Sequence, residues 1–136
     1  MFSTNLRLSL MTQIFLSIAA VLGGLSVAAG AFGAHALRDK ISERSLEIFD
    51  TASRYQMYHA LALLLVALLL SRTESPPFTL IASGWLFIIG IAIFSGSLYA
   101  LSLTGVKSLG AIAPLGGAAF IAGWGALALA AWSLKL

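Results

Sequence analysis

The chain has 136 residues, 60% of them hydrophobic and only 10% charged, with a formal net charge of +3. A soluble domain is about a quarter charged, so this composition excludes a water-exposed surface and points to a protein that lives in lipid. The absence of cysteine excludes disulfides, thiolate metal sites and cysteine nucleophiles, and no cluster of Lys and Arg with aromatic readers speaks for nucleic acid.

Charge-free stretches cover residues 8–37, 55–71, 75–106 and 108–134. A helix needs about 20 residues to cross about 30 Å of hydrocarbon. The expectation is an all-α membrane protein: one domain over residues 1–136, with four transmembrane helices in a bundle and an amphipathic interfacial helix between the first and second. The bilayer is then its first partner, and a bacterial inner membrane its place.

Residues 1–11 form a polar-to-apolar lead with one charge, Arg7. Met11 is an alternative start. A signal peptide is the competing reading, weakened by an apolar run longer than the usual hydrophobic region of such a leader. Helix one is expected over Thr12–Ala36. Its second half is rich in small residues, with Gly23, Gly30 and Gly33 near one face and Ser26, Gly30 and Ala34 in a small-xxx-small line. Such faces let helix backbones approach closely in lipid.

Residues 37–54 hold four basic and four acidic side chains. Ser42 is the expected N-cap, with Glu43 favourable in the first turn. Leu46 and Phe49 recur at helical spacing, so the segment reads as an amphipathic helix at the interface that runs into helix two. Glu43, Glu47, Asp50 and Arg54 share one face; weak surface ion pairs are the plain reading, a carboxylate cluster meeting a partner or cation the sharper one. Helix two is expected over Arg54–Ser71. Its aliphatic part, Ala60–Leu70, is too short to span alone, which puts Tyr55, Gln56 and His59 at or inside the membrane edge. Polar groups there must turn inward to find partners.

Pro76 and Pro77 separate helix two from helix three, expected over Phe78–Leu101, where Gly96 adds to the small residues. Helix four is expected over Leu109–Trp132, with Pro114 one turn in and bending it, and Gly116, Gly117 and Gly123 as packing positions. Trp85, Tyr99 and Trp132 read as interfacial anchors, and Trp124 as a packed residue. Arg38, Lys40, Arg44, Arg54 and Lys107 face Arg7, Arg72 and Lys135 across the bilayer, so the positive-inside rule places the charged loop in the cytoplasm.

GAFGAH at 30–35, YQMYHALALL at 55–64, FSGSLYALSLTG at 94–105, and PLGG with GW at 114–117 and 123–124 occur in this order. With them the chain resembles the small bacterial inner-membrane proteins called domain of unknown function 423, related to transmembrane protein 256 of animals. The resemblance runs from about Gln13 to Trp132. It implies a four-helix membrane protein and carries over no catalytic residue.

No HExxH, GxSxG, phosphate-binding loop or Rossmann glycine pattern is present, and the reading is not an enzyme. An accessory or structural subunit of a membrane complex, or of a homo-oligomer, is favoured, with no cofactor. The alternative is a small-ligand or proton binding and transport protein built on His35, His59, Tyr55, Gln56 and Asp50. A haem held between His35 and His59 is a third option. The two histidines are expected near one leaflet, as a polar clasp or as a site open to the cytoplasm.

Overall fold

Turn chemistry and span length account for the elements observed. The computed structural model describes residues 2–134, with side chains over residues 6–134; Lys135, counted in the charge balance above, lies outside the described residues. Helix α1 runs Phe2–Phe32 and continues through a π-helical turn, Gly33–Leu37. Helix α2 is Glu43–Ser71. Helix α3, Phe78–Gly90, passes through a second π-helical turn, Ile91–Ser95, into α4, Gly96–Thr104. A 3-10 turn, Lys107–Ala111, leads to α5, Ala113–Ser133. Among the described residues four helical segments can cross a membrane: Leu6–Leu37, Glu43–Ser71, Phe78–Thr104 and Lys107–Ser133. This is the all-α, four-span fold expected.

The Ser42 hydroxyl accepts from the Ser45 N–H at 3.1 Å, so it caps α2 as its side chain predicts. The amphipathic segment and the second span form one unbroken helix. Pro77 stands at the N-cap of α3. Gly105, at φ 71°, supplies the left-handed residue that ends α4. Pro114 is a correction. It lies at the start of α5, not one turn inside it, where a residue without an N–H removes no helical bond and produces no bend.

The first span packs chiefly along α2, the last chiefly on α3, and α2 lies against α3 and α4. Phe15, Leu63, Val66, Leu80 and Phe87 form the fully buried centre. Around it, glycines and phenylalanines interlock. A Cβ at Gly84 would strike the Phe15 ring, one at Gly90 the Phe120 ring, and one at Gly123 would stand 2.8 Å from Phe87. At Gly33 it would meet Phe49 at 3.0 Å, and at Gly116 it would collide with the Phe94 backbone. Each missing side chain admits a ring or a neighbouring main chain, which is how small residues bring helices together without a hydrophobic driving force.

Three expected packing glycines are not packed. Nothing lies within 4 Å of a Cβ placed at Gly23, Gly30 or Gly96. The inward seam of the first span is Phe15, Ala19, Ser26 and Gly33, which leaves Gly23 beside it and Gly30 bordering a cleft. In the third span the π-helical turn shifts the helical phase, so Ser95 and Ser97 face inward and Gly96 outward. Gly117 is also loose, with only Phe94 at 3.9 Å.

This topology has a direct consequence. In sealed vesicles of uniform orientation, single cysteines at Lys40 and Lys107 are expected to react from one side, and a cysteine at Thr73 from the other. Labelling of positions 73 and 107 from the same side would overturn the four-span arrangement.

Candidate functional site

Among the described residues, the side-chain hydrogen bonds between spans converge on one stretch of α2, between Ala52 and His59. Inside hydrocarbon a polar group without a partner costs several kcal/mol as an order of magnitude, so each buried polar side chain must find one. Ser26 of α1 donates to the Ser53 carbonyl at 2.5 Å. Ser95, at the end of the π-helical turn, donates to the Ala52 carbonyl at 2.8 Å. One turn further on, the Gln56 amide donates to the Leu22 carbonyl at 2.8 Å and accepts from the Tyr99 hydroxyl at 2.9 Å. Tyr99 is held in place by an edge contact with Phe49, centroids 4.9 Å apart. Gln56 therefore joins three spans through one side chain.

His59 faces the other way, toward α5. The Trp124 indole N–H lies 3.1 Å from its Nε2. Indole only donates, so Nε2 accepts, and Nδ1 carries the proton that it gives to the Tyr55 carbonyl at 2.7 Å. The ring is the neutral Nδ1–H tautomer with both nitrogens engaged. It stacks on Phe120 with centroids 3.5 Å apart and planes 6° from parallel. Trp124 leans edge-on against Phe87. Among the described residues, this indole–imidazole bond is the only side-chain hydrogen bond between α5 and the rest of the bundle.

The residues expected to form one cluster are thus divided. Gln56 and His59 are buried, as the polar face required, but they serve different neighbours. The Tyr55 ring turns outward and contributes its carbonyl. Asp50 is exposed and pairs with Arg54. His35 is exposed in the π-helical turn that closes the first span and makes no hydrogen bond or ring contact with His59. The expected histidine pair is not formed, and with both His59 nitrogens engaged no lone pair there is free for a haem iron or other metal. No group of three or more His, Cys, Asp or Glu with metal-holding geometry occurs among the described residues.

Sequence reasoning missed the partners more than the site. Trp124, Phe120, Tyr99 and Ser95 complete these contacts. The only sequence signal for them is polar or aromatic character, which their spans share with Ser83, Trp85, Phe87 and Trp132.

A cleft of about 330 Å³ opens between the end of the first span and the start of α2. Gly30, Gly33, Leu46 and Phe49 line it, with Glu43, Glu47 and Asp50 among its acidic residues. Glu47 pairs with Arg44 at 3.1 Å, and Asp50 with Arg54. The acidic face is therefore one of exposed i,i+3 and i,i+4 pairs, the plain reading of that pattern, and such pairs add little stability.

Four apolar spans joined by internal hydrogen bonds define a multi-pass integral membrane protein. Comparison with known proteins takes this further: residues 29–117 match the family described as Protein of unknown function (DUF423), and the chain belongs to it. The chain is similar to the UPF0382 membrane protein of Staphylococcus epidermidis, 45% identical over 118 residues, 87% of this chain and 94% of the relative. To UPF0382 membrane protein YwdK of Bacillus subtilis it is 45% identical over 119 residues, 88% of this chain and 96% of the relative. No solved structure matches the chain.

Proposed function

We propose that this protein is a structural, accessory subunit of a membrane complex, engaging a partner helix through the outward face of its first span, and that it carries out no chemistry of its own. One observation carries the reading. Ser17, Ala20, Gly24, Ala28 and Ala31 of α1 are all exposed and follow one another at steps of three or four, so they form a single outward stripe. Ala20, Gly24 and Ala28 repeat the small-xxx-small spacing that brings helices into contact in lipid. A Cβ at Gly24 would meet nothing within 4 Å, so the protein's own packing does not call for a glycine there. The hydrogen bonds of Gln56 and His59 also favour a scaffold over a pathway, because they tie helix to helix.

The chain has no cysteine, so a single cysteine at Ala28 can be cross-linked in native membranes without background. A cross-link to a different membrane protein is expected, and Gly24→Leu should abolish it while leaving the melting midpoint in detergent unchanged. A product of twice the chain's own mass would make the partner a second copy. Cross-linking undiminished by Gly24→Leu would overturn the assignment of this face.

A further inference from the structure

We infer that the aromatic groove between α2 and α5 is a binding site for the ring of a lipid-soluble, quinone-class molecule. The inference goes beyond the accessory role proposed above and does not depend on it.

The groove holds about 540 Å³ and is lined by Tyr55, Tyr58, Phe94, Gly117, Phe120 and Trp124, with His59 at its base. It opens sideways to the bilayer, since Tyr55 is 40%, Trp124 46% and Tyr58 51% exposed. Any occupant therefore arrives from the lipid. Its walls are π faces in mutual contact: Tyr55 lies 4.9 Å from Phe94, and Phe94 5.4 Å from Phe120, centroid to centroid.

Gly117 supplies the second observation. Gly116 beside it is required by the Phe94 backbone, whereas a Cβ at Gly117 would come no nearer than 3.9 Å to the Phe94 ring. Glycine is among the poorest helix formers, and here it serves no close helix contact. What its missing side chain provides is depth in the groove. The third observation is polar. Among the described residues neither the Tyr55 nor the Tyr58 hydroxyl has a hydrogen-bond partner within the protein, and both residues line the groove. Ring carbonyls are acceptors that such donors suit.

Electrostatic complementarity decides the class of occupant. Aromatic faces carry negative charge density, and a quinone ring, depleted of electrons by its carbonyls, is drawn to such faces. A saturated acyl chain gains only dispersion from them. The protein has a groove that does suit an acyl chain: about 310 Å³, lined by Leu16, Leu64, Ala67 and Leu68 among others, with no aromatic wall. Two lipid-facing grooves of different chemistry on one bundle argue for two kinds of occupant.

The test uses the full chain in detergent with Trp85→Phe and Trp132→Phe, which leave Trp124 as the sole reporter among the three tryptophans. Titration with a decyl-substituted benzoquinone is expected to quench its emission saturably. Gly117→Leu, with an unchanged melting midpoint, should weaken binding at least tenfold by filling the groove. Tyr55→Phe with Tyr58→Phe keeps the rings and removes the donors, and should weaken binding several-fold even where the leucine variant does not fold. A decyl chain without the ring should not compete. Quenching that rises linearly and equally in all variants, or displacement by the plain decyl chain, would overturn the proposal.

Discussion

Gly116→Leu is expected to loosen the bundle sharply without melting its helices. A Cβ at this position would collide with the Phe94 backbone nitrogen and stand 2.7 Å from its Cβ. A ring can swing aside, but a helix backbone in a packed interior moves only with its whole span. Overpacking a well-filled core costs about 1–3 kcal/mol and occasionally more, and contact with main chain belongs at the upper end. The damage should be confined to the α3–α5 seam: secondary structure by circular dichroism falls little, while the melting midpoint and the monodisperse fraction in detergent fall sharply. Gly30→Leu and Gly96→Leu serve as matched controls, since neither position has a neighbour within 4 Å. If all three variants accumulate and melt alike, the interlocked glycines do not hold the bundle.

Gln56→Leu should be the most damaging loss of a single polar side chain. It conserves volume and removes two interhelical bonds at once, to the Leu22 carbonyl and the Tyr99 hydroxyl. Interhelical hydrogen bonds in membranes average about 0.6 kcal/mol and reach about 1.7, and a part-buried hydroxyl such as that of Tyr99, left without a partner, adds toward the lower end of about 1–3. A loss of about 2–3 kcal/mol is expected. Tyr99→Phe made in the Gln56→Leu background should recover part of that loss, because it removes the orphaned hydroxyl. A double-mutant cycle on unfolding in detergent measures the coupling. Strict additivity of the two substitutions would show that they do not act through the bond.

The number of spans, the Ser42 cap, the proline-marked turn and the inward placement of Gln56 and His59 were legible in the sequence, each for a definite reason. Charge-free length reports membrane crossing, and a polar residue amid aliphatic ones must turn inward. Helical phase was the part that could not be read. In water, an apolar stripe says which side of a helix faces the core. In a span apolar on every side that contrast disappears, so nothing in the string separates Gly116, which packs, from Gly30, which does not. The π-helical turn at Ile91–Ser95 compounds this by shifting the phase halfway along the third span, and so leaves Gly96 on the outward side. Small residues marked where helices can approach, and only the fold shows where they do.

The serines that clasp α2 end on main chain, Ser26 on the carbonyl of residue 53 and Ser95 on that of residue 52. A peptide carbonyl is present whatever side chain accompanies it, so the requirement is one-sided. Positions 26 and 95 must supply a donor, while residue 52 accepts from Ser95 without contributing any chemistry of its own. These two junctions would leave no trace in correlated substitution between relatives, because a change at the acceptor calls for no answering change at the donor. Two buried contacts that join spans of this bundle are therefore the least visible to any method that looks for pairs.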